Sequence, residues 1–196
     1  MDLLSIIKRK CAVRQFKNRP ISNTKLNKIL EAGLWSSSIH GMQPWEFIVV
    51  KNKKIKNRIS RFLIKKAFKI GRNIDKLFTL TANTISNSPV IILVYNEKTF
   101  QNISQRMFKI PLKYLSIAQQ SETEAISAAV QNMLLEAECL GISSCWNTIP
   151  LFCENEISKL LKTKKRLLAI LSFGYSREKT KRSPRKAFSE TVKLVK

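Results

Sequence analysis

The stretch Ser36-Ser37-Ser38-Ile39-His40-Gly41-Met42-Gln43-Pro44-Trp45-Glu46-Phe47-Ile48-Val49-Val50 runs a hydroxyl-rich loop through Gln-Pro-Trp directly into an apolar, β-branched strand. Pro44 has no backbone N–H and biases Gln43 towards extended backbone. That would hold the Gln43 amide, with one acceptor and two donors, at a defined place beside a rigid strand. Such a loop suits recognition of a planar heterocycle with several polar edges.

Working outward, Asp2 is positioned to cap a short helix over 2–9, and Ser22 or Asn23 a second helix through Ala32, ended by Gly33. Phe47–Val50 reads as a buried strand, and Ser88–Tyr95 as a second one with proline at its start. Residues 97–120 lack a clean period and hold Phe100, Phe108 and Tyr114, which suggests a variable excursion or lid. Ser121-Glu122-Thr123-Glu124 is a capping-box pattern that predicts a long helix to Leu140, stopped by Gly141. A strand or loop over Ile142–Trp146, a helix over Glu154–Leu161 and a buried strand over Leu167–Phe173 complete the chain. Helices and strands mix without regular βαβ alternation, so the fold class expected is α+β. With 196 residues and no repeat or Pro/Gly-rich linker, one domain over 1–196 is expected.

The formal charge is +23. Residues 1–80 carry 19 basic and 4 acidic side chains, 81–160 carry 5 and 7, and 161–196 carry 12 and 2, so both ends are basic. Lys54, Arg58, Arg61, Lys65, Lys69, Arg72 and Lys76 recur every three or four residues, as one stripe of a helix. Ile55, Ile59, Phe62, Ile70, Ile74 and Leu77 lie on or near the opposite stripe. The plain reading is a solvated helix face; a nucleic-acid, anionic-lipid or acidic-partner surface is the alternative. No nucleic-acid motif or aromatic interleaving accompanies the stripe, which argues against nucleic acid, and Gly71 argues against one continuous helix. No apolar run is long enough for a membrane span, and the N-terminus does not read as a secretory signal. Cys11, Cys139, Cys145 and Cys153 show no CxxC pairing and His40 is the single histidine, so no metal site is expected. Reduced thiols in a cytoplasmic protein are the simplest reading.

The Ser38–Phe47 segment resembles the flavin-binding loop of the FMN-dependent nitroreductase family, usually Pro-Ser-x-x-Asn-x-Gln-Pro-Trp-x-Phe. Ser38, Gln43, Pro44, Trp45 and Phe47 match, while Ser37 and Gly41 replace the family's proline and asparagine. Arg9-Lys10-Cys11-Ala12-Val13-Arg14-Gln15-Phe16 resembles the family's Arg-Arg-Ser-x-Arg-x-Phe; Lys10 takes the first arginine's place, Arg14 the last basic one, and Ala12 the serine's. Gln131–Asn147 resembles the family's Gln-Asn-x-Leu-Leu…Leu-Gly-x-x-x-Cys-Trp stretch, with Asn147-Thr148 standing where Ile-Gly is common. The tail around Arg185 resembles the family's Arg-x-Pro-x-x-Glu-x-Val, with Ala187 in the proline's place and Lys181 or Arg182 as a helper.

The resemblance implies a three-layer α/β/α fold with a central sheet, and a homodimer with the long helix at its interface. It further implies FMN at that interface, held by Lys10, Cys11, Ala12, Arg14, Ser37, Ser38, Ile39, Gly41, Gln43, Trp146, Asn147, Thr148 and Arg185. No dedicated catalytic residue is implied: the flavin carries the hydride chemistry, Arg14 lies near its N1–C2 edge, and His40 is a substrate contact. The implied activity is ping-pong transfer from NADH or NADPH to a small organic acceptor, nitroaromatic, quinone-like or enone. A dehydrogenation, dehalogenation or flavin-breakdown reaction on the same fold, or a non-catalytic basic nucleic-acid- or anion-binding protein, stays open.

Overall fold

The computed structural model describes residues 2–71, 74–107, 109–180 and 182–195. Arg72, Phe108 and Lys181, singled out above, lie outside them. Four strands form one antiparallel sheet in the order β1-β2-β4-β3: β1 (Trp45–Val50), β2 (Val90–Asn96), β3 (Ser143–Asn147) and β4 (Arg166–Gly174). Strand alternation divides the core in two. Val90, Ile92 and Val94 of β2, with Ala169, Leu171 and Phe173 of β4, face α2 (Asn23–Leu34) and α6 (Leu115–Cys139). Ile91, Leu93 and Tyr95, with Leu167 and Ile170, face α3 (Lys53–Ile70), α4 (Asp75–Asn87) and α7 (Glu154–Leu161). Both faces of the sheet are covered, giving the three-layer α+β arrangement.

Local chemistry explains most boundaries. Asp2 accepts from Ser5 N–H and caps α1 (Leu3–Arg9); Ser22 accepts from Lys25 N–H and caps α2. Gly33 does not end α2: it lies inside the helix, where an added Cβ would stand 2.8 Å from Met133 Cγ. Its role is therefore close packing of α2 on α6. β1 is an edge strand and is only half-buried through Glu46–Val49, less than its apolar sequence suggests.

The basic stripe is divided between two helices. Gly71, at φ +114°, ends α3, and Lys76 belongs to α4. Ile59 is buried and Ile55, Phe62 and Ile74 are half-buried, but Ile70 and Leu77 are exposed, contrary to the single-helix reading. The 97–120 excursion is ordered as α5 (Thr99–Arg106), a short 3-10 turn at Leu112–Tyr114 and the start of α6. The long helix thus opens at Leu115, two turns before the capping-box pattern, and that pattern's Glu122 is fully buried for another purpose. Its carboxylate accepts from Phe100 N–H (2.7 Å), Gln101 N–H (3.1 Å), Asn96 Nδ2 (2.9 Å) and the Gln101 amide. Glu122 therefore caps α5 from the side. Gly141, at φ +70°, reverses the chain after α6, and Ile142 N–H donates to Ala137 O at 2.8 Å.

Candidate functional site

The N-terminal basic segment is fixed by backbone pairing at one corner of the sheet. Ala12 bridges Ser144 in parallel, and Val13 N–H donates to Ser144 O at 3.0 Å. Phe16 bridges Ser176, and Lys17 N–H donates to Tyr175 O at 2.8 Å. Phe16 fits there because position 174 is glycine: a Cβ on Gly174 would stand 2.7 Å from the Phe16 ring and from Pro89 Cδ. The extended run 12–17 is thereby laid against β3 and the continuation of β4.

This brings Lys10 and Arg14 close to the Cys145-Trp146-Asn147 strand. Burial holds the Lys10 ammonium below the usual lysine range, countered by Cys145, Cys11 and Glu138. Burial pushes the Cys145 thiol up, while Arg14 and Lys10 pull it down. Among the described residues the ion pairs belong to Arg9, with Glu138 at 2.6 Å, and Lys165, with Glu46 and Glu97. Lys10 and Arg14 have no ion-pair partner among the described residues, which leaves two cations to an anion. Glu178 accepts from the backbone of Arg14 (2.6 Å) and Gln15 (3.2 Å) rather than from the guanidinium.

Trp146 points outward and is 37% exposed, whereas Asn147 is buried. The Asn147 amide donates to Ile170 O (3.0 Å) and Ser172 Oγ (3.2 Å), so its side chain ties β3 to β4. Thr148 is exposed and opens a 3-10 turn at Ile149–Cys153. Cys11 and Arg182 line one cleft with Arg9, Glu138 and Glu178. Arg185 lies on the exposed tail, its guanidinium donating to Ser183 O at 3.4 Å. Among the described tail cations, Arg182 lines this cleft beside the N-terminal segment, whereas its expected part was only that of a helper to Arg185.

The Gln-Pro-Trp loop sits elsewhere. Ile39–Gly41 forms a 3-10 turn, with His40 at φ +46°. Gln43 is also at φ +46°, left-handed rather than the extended conformation expected before proline. The Ser38 hydroxyl, accepting from Gln43 N–H at 3.0 Å, closes the loop in that shape. Ser37, His40, Gly41 and Gln43 are exposed, while Trp45 is buried and stacks on Phe47. His40 lies 6.2 Å from the Phe100 ring on α5.

Within one chain these two halves do not meet. The loop precedes Trp45, which aligns through Asn96 with Arg166; Ala12 is bridged to Ser144, which pairs with Phe173. Four strand spacings, the last from β3 to the bridged Ala12, and the run Arg166–Phe173 along β4 separate them, roughly 30 Å at standard strand geometry. Among the described residues no group of three or more His, Cys, Asp or Glu side chains could hold a metal ion, and no helix is long and apolar enough to cross a membrane.

Comparison with known proteins bears on this arrangement. The Nitroreductase family profile matches residues 7–175, most of the chain. The chain belongs to the nitroreductase family. A relative from Archaeoglobus fulgidus, named as an NADH dehydrogenase/NAD(P)H nitroreductase, is 27% identical over 145 residues, 74% of this chain and 66% of that protein. The match to a Methanothermobacter thermautotrophicus protein of the same description covers 62% of its length, so the chain spans under two thirds of these two archaeal relatives. The iodotyrosine deiodinase of Thermotoga neapolitana is 27% identical, with 93% of each chain covered. Among solved structures, a BluB-like flavoprotein from Clostridium difficile superposes with a TM-score of 0.81 at 24% identity, covering all of both chains. A Desulfovibrio desulfuricans nitroreductase solved in complex with FMN gives 0.71 at 20% identity, covering 98% of this chain and 95% of that one. The fold of this nitroreductase-family chain is therefore that of the solved flavoproteins.

Proposed function

We propose that this nitroreductase-family protein is an FMN-dependent oxidoreductase using NADH or NADPH. The observation that carries the reading is the pair of cations Lys10 and Arg14, without an ion-pair partner among the described residues, held by the Ala12–Ser144 bridge close to Cys145 on the strand that also bears the exposed Trp146. Those groups fit an aromatic ligand bearing a phosphate. Lys10, with Arg182 or Arg185 from the tail, would hold the phosphate, and Arg14 would face the ring edge where negative charge grows on reduction. Bound FMN supplies reversible hydride acceptance, which leaves orientation and electrostatics to the protein. His40 and Phe100 border the Gln43 loop and form an aromatic wall where a planar acceptor would lie.

A complete site needs the Ser37–Gln43 loop, which one chain holds at the far corner of its sheet. A second copy supplies it in this reading. Leu34 and Trp35 at the end of α2, and Tyr114 and Ile117 at the start of α6, are exposed apolar side chains on the layer that such a copy would cover. The alanines Ala125, Ala129 and Ala137 do not serve there, because they pack inside the chain's own core. The stripe of α6 left for a partner is Ile117, Gln120, Glu124, Ala128 and Gln131. A small nitroaromatic, quinone-like or enone acceptor completes the proposal. Dehalogenation is the second reading, favoured by the full-length match to the deiodinase.

The test is spectroscopic. The purified chain should be yellow, release FMN on denaturation and bleach anaerobically with NADH or NADPH. A colourless protein that takes up no FMN and binds duplex DNA in a salt-sensitive way would overturn the proposal.

A further inference from the structure

The helical hairpin α3–α4 covers the sheet face opposite α2 and α6 and has no role in the site described above. Its outward surface is unusual in two respects. Residues 51–76 hold eleven lysines and arginines and a single acid, Asp75. Lys54, Arg58, Arg61, Lys65 and Lys69 of α3 and Lys76 of α4 are exposed, and none has an ion-pair partner among the described residues. The same surface carries large apolar side chains at the end where the helices join. Phe68 is 86% exposed, Leu77 55% and Leu80 44%. Helical geometry puts Phe68 on the arc of Arg61 and Lys65, and Leu80 on that of Lys76, opposite the buried Ile59, Leu63, Phe78 and Ala82.

Single exposed apolar side chains are ordinary on a solvated face, but Phe68, Leu77 and Leu80 gather at one end of a face otherwise lined with lysines. A nucleic-acid surface uses cations but gains little from leucines, which neither stack on bases nor reach phosphates. Cations surrounding a small apolar tip match the chemistry of a bilayer interface: anionic headgroups attract the lysines, and the apolar side chains enter the acyl boundary beneath them. We propose that the outer face of the α3–α4 hairpin docks on an anionic lipid surface. Lysine suits this role because its stem lies along apolar material while the ammonium stays at the headgroups. With the hairpin on the bilayer, the α2–α6 layer on the other side of the sheet stays free for a second copy.

Flotation of the purified full chain with vesicles tests this, using phosphatidylcholine alone against an equimolar mixture with phosphatidylglycerol. The chain should float with the mixture and not with phosphatidylcholine. Lys65→Gln, Lys69→Gln and Lys76→Gln together should weaken partitioning roughly 100-fold, at about 1 kcal/mol per charge near the surface. Phe68→Ser, Leu77→Ser and Leu80→Ser, which keep every cation, should also release the chain from the mixture. All six side chains are exposed, so neither set opens the core. The basic tail is intact in both, so binding that survives both sets belongs to the tail and overturns the proposal. So does a wild type that fails to float, or an apolar set that binds like the wild type; the latter would mark a general polyanion surface, to be confirmed with duplex DNA.

Discussion

In the proposed site Lys10 is the charge best prepared for a phosphate. Its ammonium is partly desolvated, which raises the free energy of the charged form, yet no carboxylate among the described residues pairs with it. A phosphate would remove that penalty. Lys10→Gln should therefore weaken FMN by about 1.5–3 kcal/mol, the range for a charge-assisted hydrogen bond, and leave riboflavin affinity unchanged. Flavin fluorescence titration with both ligands checks this, and equal losses for the two would count against a phosphate contact. Tyr95 gives a different kind of test. It is fully buried near the end of the inner strand β2, and burial first, then Glu46 and Glu154, push its phenol up to about 12. In the unfolded chain the phenol ionises near 10, so between those values the unfolded state loses its proton while the native state keeps it. Stability contributed by Tyr95 is complete below about pH 10 and falls as pH rises towards 12. Tyr95→Phe lacks this loss, and urea titrations should show its stability gaining on the wild type by up to about 3 kcal/mol across that window. Residue identity alone could suggest neither partner nor conformation. Gln43 adopts positive φ because a hydroxyl five residues earlier captures its N–H, and Gly33 is a packing residue because Met133 lies above it.

Elements were most legible where one local rule acted alone. The continuous apolar run of β2, the Asp2 and Ser22 caps and the Gly141 stop are all visible in sequence because each depends on neighbours a few residues away. The excursion over 97–120 was illegible for the opposite reason. Helix α5 has no capping side chain of its own; its first N–H groups are satisfied by Glu122, more than twenty residues later on α6. The Ser121…Glu124 spacing imitated a helix start although α6 already runs through it, and the Glu122 between them is the residue that satisfies α5. One buried acceptor thus orients α5, and with it Phe100 against His40. Glu122→Gln replaces one acceptor oxygen by a donor that faces other donors. It should destabilise the protein by about 2–3 kcal/mol, the scale of a lost charge-assisted hydrogen bond. Hydrogen exchange is the more pointed measurement. The amides of Phe100 and Gln101 should lose protection well before those of β2, and uniform loss across the chain would show that Glu122 supports the core and not α5 in particular.

At the scale of the whole molecule, the sequence singled out the segments of the proposed site but not how far apart the sheet holds them. Lys10, Gln43 and Trp146 lie in an order that any fold could bring together; the strand order β1-β2-β4-β3 sends the Gln43 loop and the N-terminal segment to opposite corners. A ligand spanning both motifs must then bind two chains, and binding and assembly become one equilibrium. Ligand that binds only the assembled form stabilises it by RT ln(1 + [L]/Kd), about 2.7 kcal/mol for each site at a hundredfold excess over Kd. If two chains share each site as proposed, dilution should release flavin and dissociate the chains together, and added FMN should move both midpoints to lower protein concentration. Trp35 provides the mutational arm, being 82% exposed at the end of α2, where an isolated chain gains nothing from an indole in water. Trp35→Glu should weaken the proposed dimer by about 2–4 kcal/mol, as for a central aromatic anchor, and lower flavin content with it, while thermal unfolding of the apo chain changes little. Sedimentation with detection at the flavin absorbance measures both quantities in one run. A sedimenting monomer that keeps its flavin would show that one chain forms the whole site and that the separation across the sheet has no functional consequence.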